Sequence, residues 1–219
     1  MKYEAVLFDL DGTLLDTLVD LADSMNAVLE GLGAPVHPAE AYKYFVGDGV
    51  RNLIVRALPQ PQRTEETIRG CIREMHDEYS KRWASKTRPY AGVPGLLDAL
   101  AERGVKMAVL SNKPDDFTKL CVEKLLPDWT FESVRGVRED GKRKPDPTGA
   151  LETAKMLGLS PGRFAYVGDT NTDMQTAVAA GMHPIGVLWG FREADELKAN
   201  GAEQLVRTPE ELLDCFRDA

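Results

Sequence analysis

The chain has 219 residues, 43% of them apolar and 28% charged, and a formal net charge of −8. These values fit a globular protein and exclude a general nucleic-acid binder, which needs a basic surface to neutralise phosphates. A small phosphorylated anion stays admissible, because a few lysines and a cation make a positive pocket even in an acidic protein.

After a single lysine the chain enters a strand-like run over residues 3–8, with a strand expected at 5–9, no basic-then-apolar leader pattern and no window of membrane-span length. Cys71, Cys121 and Cys215 are scattered, match no metal-ligand spacing and lie in helical patterns, where a small buried apolar residue is their expected role. These features predict a cytoplasmic protein that makes no use of membranes. From about residue 15 to 88 no strand pattern occurs. Leu18, Leu21, Met25, Val28, Leu29 and Leu32 follow helical spacing, as do Ile68, Ile72, Met75, Tyr79 and Trp83, with shorter helices expected around 38–45 and 50–58. Their methionine and aromatic stripes read as packing surface.

Beyond residue 88, strands are expected at 106–111, 131–135, 164–168 and 184–188. Helices are expected at 94–103, 116–125, 148–157 and 172–180, with Gly104, Gly158 and Gly181 as closing residues. This alternation predicts an α/β fold, a Rossmann-like parallel sheet flanked by helices. Residues 1–14 and 89–219 are expected to form this core, and 15–88 a separate helical domain inserted after the first strand.

In an open parallel sheet, ligands bind beyond the carboxyl ends of the strands. The residues there are Asp9-Leu10-Asp11-Gly12-Thr13, Ser111-Asn112-Lys113-Pro114, Lys144-Pro145-Asp146-Pro147 and Gly168-Asp169-Thr170-Asn171-Thr172-Asp173. Each alone has a plain structural reading. DxDG can be a turn, Ser-Asn a helix cap, KPDP a solvated loop and GDxxxD an acidic helix start. Four in order on successive strand ends are not explained by turns and caps. A carboxylate attacks a phosphate dianion only where negative charge is neutralised. Asp9 and Asp169 can hold an oxygen-loving cation, Lys144 adds positive charge, and the Ser111 hydroxyl with nearby backbone N–H groups can hold phosphate oxygens. Asp9 is then a candidate nucleophile and Asp11 a candidate acid/base.

The motifs FDLDGTLLD, VLSNKP, KPDP and VGDTNTD resemble those of the haloacid dehalogenase superfamily of phosphohydrolases, in order and over essentially the whole chain. The resemblance implies a mobile cap, magnesium held by the Asp9 carboxylate, the Asp11 backbone carbonyl and Asp169, and Asp173 supporting the metal shell or orienting Lys144. It makes Asp9 the nucleophile and Asp11 the acid/base, with Ser111, Asn112 and Lys144 on the phosphate. Within the superfamily, FDLDGTLLDTLVDLADSMNAVLEGLG, VGDGVRNLIVRAL and VLWGFREADEL are similar to phosphoglycolate phosphatases. That implies hydrolysis of 2-phosphoglycolate, with a sugar-phosphate phosphatase, pyrophosphatase or phosphoglucomutase open as alternatives, and a non-catalytic phosphate-binding protein further off. Gly47 and Arg51 are the cap residues expected at the substrate. The expected partner is a small phosphorylated metabolite, with the chain a monomer or small homo-oligomer. His37, His76 and His183 receive no catalytic role.

Overall fold

A computed structural model describes residues 3–138 and 141–216. The chain divides into two compact units, one of residues 1–15 with 89–219 and one of residues 16–88.

The first unit begins with β1 (Ala5–Phe8), whose four residues are all buried, the unbroken apolar run of a strand covered on both faces. After the excursion through the second unit come α5 (Val93–Glu102), β4 (Lys106–Pro114), α6 (Asp115–Leu125) and β5 (Ser133–Val137). Then follow α7 (Thr148–Leu157), β6 (Phe164–Gly168), α8 (Asn171–Ala180), β7 (His183–Val187), α9 (Ala194–Ala199), β8 (Gln204–Val206) and α10 (Pro209–Asp214). The sheet order is β5-β4-β1-β6-β7-β8, parallel throughout. From β1 the chain steps outward to β4 and β5, returns across β1 to β6, and steps outward again. The reversal leaves a crevice at the carboxyl ends of β1, β4 and β6. Gly158 and Gly181 close α7 and α8 with φ near +68° and +69°, a left-handed turn that costs glycine least.

The third core strand lies two residues beyond its expected place. Ala108 of β4 aligns with Ser133, while the Glu132 N–H donates to the Met107 carbonyl (2.8 Å) as the chain approaches the sheet. β4 runs past Ser111 to Pro114, with a register shift against β5 between Leu110 and Pro114. That irregularity carries Ser111, Asn112 and Lys113 to the rim within the strand itself.

The second unit contains α1 (Leu18–Gly31), α2 (Tyr42–Phe45), α3 (Val50–Ala57) and α4 (Glu65–Arg82). α1 and α4 pack together and bury Met25, Leu29, Met75 and Tyr79 of their apolar stripes, while Leu32 is exposed and Ile72 and Trp83 are half-buried. Thr64 caps α4 by accepting from the Thr67 N–H (3.1 Å). Buried Asp20 accepts from the Thr87 N–H (2.8 Å), the Thr87 hydroxyl (2.8 Å) and the Lys86 N–H (2.9 Å), tying the start of α1 to the end of the unit. Two short strands that the sequence pattern did not reveal, β2 (Leu15–Asp16) and β3 (Arg88–Pro89), pair where the chain enters and leaves. No helix among the described residues is long and apolar enough to cross a membrane.

Candidate active site

Asp9 follows β1 directly, its N–H donating to the Val167 carbonyl of β6 (2.9 Å), so the sheet ladder fixes its backbone. Its Oδ1 accepts from the Leu10 N–H (2.7 Å) and from Lys144 Nζ (2.8 Å). Lys144 Nζ also lies 2.7 Å from Asp173 Oδ1. An ammonium this deeply buried survives only when paired, and here two carboxylates hold it. Its backbone is held as well: Asn112 Oδ1 accepts from the Lys144 N–H (2.8 Å) and Asn112 Nδ2 donates to the Lys144 carbonyl (3.1 Å). Asn112, expected on the phosphate, thus also holds the Lys144 backbone in place.

Asp169 stands at the carboxyl end of β6, fully buried. Its Oδ1 accepts from the Thr13 hydroxyl (2.8 Å) and its Oδ2 from the Phe191 N–H (2.8 Å). Asp173, in the first turn of α8, accepts on Oδ2 from the Thr170 N–H (3.0 Å) and hydroxyl (2.6 Å), the reciprocal cap of that helix. Ser111 is buried, and its Oγ accepts from the Lys113 N–H (3.2 Å), which leaves the hydroxyl hydrogen to donate. Asp11 pairs with Lys113 Nζ at 2.9 Å and 3.1 Å. Gly47 and Arg51 lie in the second unit. Arg51 pairs there with Glu65, while its neighbour Arg56 pairs with Asp48.

Asp9, Asp169 and Asp173 each offer an oxygen within 4.8 Å of the others'. Burial holds the Asp9 carboxyl well above the ordinary carboxylate range, with repulsion from Asp173 adding to it and Lys144 opposing it. Burial, then Asp173, lifts Asp169 to about 7. Burial works against the Lys144 charge, yet Asp173 and Asp9 hold its ammonium well above the usual lysine value. One lysine therefore leaves this nest of acids short of positive charge. All its ligand atoms are hard oxygens, so the cluster fits an oxygen-seeking divalent cation.

The sign of a pH dependence follows. Asp9 and Asp169 keep their protons in the folded metal-free protein at pH values where the unfolded chain has lost them. The fold then binds more protons than the unfolded chain between the ordinary carboxylate range and about 7, so stability falls as pH rises through that window. Thermal melts in chelator should show a melting temperature that declines from pH 5 to pH 7, with a shallower decline for Asp169→Asn. A divalent cation should raise the melting temperature more at pH 8 than at pH 5.5; an equal rise at both would contradict it.

The segment 189–191, which carries no catalytic residue type, braces Asp169. Besides the Phe191 N–H, Trp189 Nε1 donates to the Thr13 carbonyl (2.9 Å). A Cβ on Gly190 would lie 2.3 Å from Asp169 Cβ and 2.4 Å from the Gly12 carbonyl oxygen. Neither atom belongs to a flexible side-chain end, so Gly190→Ala must displace the acid or the Asp9–Thr13 loop. A shift of about 1 Å at such a site costs on the order of 100-fold in turnover. We expect that loss with circular dichroism unchanged and cation affinity weakened in calorimetry.

Fold and rim are those of an α/β enzyme with a carboxylate–lysine pair at the switch point of its sheet, suited to an anionic ester. The chain belongs to the haloacid dehalogenase-like hydrolases, whose family profile matches residues 6–187. It is 32% identical to a phosphoglycolate phosphatase of Psychrobacter arcticus, over 99% of this chain and 94% of that one. It is 31% identical to an N-acetylmuramic acid 6-phosphate phosphatase of Pseudomonas aeruginosa, over 99% of this chain and 96% of the other. A solved structure from Lactobacillus delbrueckii subsp. bulgaricus, provisionally named phosphoglycolate phosphatase, superposes with a TM-score of 0.91 at 32% identity, each chain fully covered.

Proposed function

We propose that the protein hydrolyses a small phosphomonoester, 2-phosphoglycolate in the first place, through an aspartyl-phosphate at Asp9. The observation that carries this is Lys144 Nζ bridging Asp9 Oδ1 (2.8 Å) and Asp173 Oδ1 (2.7 Å) in a buried site. It fixes one oxygen of Asp9 and neutralises charge where a phosphate would sit.

The Asp9 carboxylate, the Asp11 carbonyl and Asp169 would hold magnesium, with Asp173 in support. The cation supplies further neutralisation of phosphate and nucleophile. Lys144 and the Ser111 hydroxyl hold the non-bridging phosphate oxygens. An Asp9 carboxylate oxygen forms a bond to phosphorus as the bond to the leaving oxygen breaks, and Asp11 gives that oxygen a proton. In the second step water attacks phosphorus, Asp11 takes its proton, and the phosphorus–Asp9 bond breaks to restore the carboxylate. The inserted unit acts as a cap moving about residues 14–17 and 86–90, excluding bulk water from the first step and admitting one molecule to the second. Gly47 and Arg51 remain our candidates for cap residues at the substrate.

A second reading rests on the relative acting on N-acetylmuramic acid 6-phosphate, which is nearly as similar as the phosphoglycolate phosphatase of Psychrobacter arcticus. Both named substrates are phosphomonoesters of acids. Phosphate release should be measured from 2-phosphoglycolate, N-acetylmuramic acid 6-phosphate, glucose 1-phosphate and pyrophosphate, with magnesium and with chelator. The first reading expects the highest kcat/KM on 2-phosphoglycolate and none in chelator. Preference for the amino-sugar acid selects the second; turnover undiminished by chelator sinks the cation's role.

A further inference from the structure

Lys113 takes no part in the reaction just described, yet the structure spends much on it. Lysines stay at the surface unless paired, because a buried ammonium without a partner is costly. The Lys113 side chain is only 3% exposed, and its Nζ lies 2.9 Å from Asp11 Oδ1 and 3.1 Å from Oδ2. Its backbone is held on several sides. The N–H donates to Ser111 Oγ (3.2 Å) and the carbonyl accepts from the Thr118 hydroxyl (3.3 Å). A Cβ on Gly136 would come within 2.6 Å of that carbonyl oxygen, so the neighbouring strand closes directly over it. A short, fixed β4 end thus aims one ammonium at both oxygens of one carboxylate in the adjacent β1 loop.

An aspartate has two side-chain torsions, and its terminal one is broad. A contact reaching both oxygens restrains each of them. Proton transfer needs the carboxyl group within hydrogen-bond reach of the leaving oxygen, and positional error there is expensive. We propose that Lys113 is a positioning residue for Asp11, orienting its carboxyl group for proton transfer to the leaving oxygen as Lys144 orients Asp9. This rests on Asp11 being the acid/base of the proposed reaction.

Leaving-group dependence tests it, since an expelled nitrophenolate needs little protonation and an alkoxide needs it badly. kcat/KM, which reports the steps through cleavage of the ester, should be measured over phosphomonoesters from alkyl to nitrophenyl. The proteins compared are the parent, Lys113→Met, Lys113→Gln and Asp11→Asn. Lys113→Met should lose on the order of 30-fold or more on alkyl esters and under about 3-fold on nitrophenyl phosphate. Lys113→Gln, which keeps an N–H donor, should fall between, and it carries the same test if Lys113→Met does not fold. Equal loss across the series, or none, overturns the inference, because a merely structural role would not track the leaving group. A steep dependence in Asp11→Asn with a flat one in the Lys113 variants sinks the positioning role alone. A flat response in Asp11→Asn removes the acid/base reading and this inference with it, as does a parent that releases phosphate from none of the esters.

Discussion

Asp9→Asn is expected to lose phosphate release by at least about 10⁴-fold, as removal of a nucleophile does in enzymes whose groups act as a unit, while the fold stays intact. The geometry allows this separation. The amide oxygen can keep both hydrogen bonds that Oδ1 now accepts, from the Leu10 N–H at 2.7 Å and from Lys144 Nζ at 2.8 Å. Lys144 also keeps Asp173 at 2.7 Å. The charge removed is one that burial disfavours, so the metal-free variant should melt at or above the parent temperature at pH 8. Activity assays and melts on one preparation suffice. Residual turnover near the parent level would end the aspartyl-phosphate mechanism, whereas a collapsed melting temperature would give Asp9 a structural role instead.

Lys144→Met should damage stability and activity together. The substitution leaves Asp9 and Asp173, both nearly inaccessible, facing each other without the ammonium between them. Breaking a buried pair by removing one partner costs about 3–5 kcal/mol, because the remaining charge is stranded. The loss should be largest in chelator at pH 8 and smaller near pH 5.5, because burial raises the Asp9 carboxyl and favours its neutral form as pH falls. Turnover should fall by about 10²–10³-fold, the range for removing one preorganised donor at a developing charge. Denaturant melts at the two pH values measure the first effect and steady-state phosphate release the second. Equal stability of variant and parent at pH 8 would mean that the bridging lysine contributes no net pairing.

The sheet and its rim were legible because their signals are local. Apolar runs such as Ala5–Phe8 announce buried strands, and polar clusters ending such runs fall at the carboxyl ends whatever the details of packing. The parts that were not legible depend on pairing across long separations. Phe191 contributes to Asp169 through a main-chain N–H, which leaves no mark on residue type. Gly190 reads as a loop glycine until the Gly12 carbonyl and Asp169 are placed against it. The hold of the Asn112 side chain on the Lys144 backbone spans 32 residues and could not be read from its place beside Ser111. Lys113 precedes a proline and carries no sequence mark of its partner, Asp11, which lies 102 residues away. β2 and β3 are two residues long each, below the length at which an alternating pattern can be recognised.

The pairing of β2 with β3 makes residues 16–88 a removable cassette. The chain leaves the core and comes back through adjacent strands, whose separation in a sheet is about 4.8 Å. On the core side the junction is already sewn, with the Tyr90 N–H donating to the Leu14 carbonyl at 3.1 Å. A transplant from a relative would therefore need to match two neighbouring chain ends and nothing in the registers of the six-stranded sheet. Under the proposed cap role, exchanging this insert with that of the amino-sugar acid phosphatase should move selectivity while the residues of the catalytic rim stay unchanged.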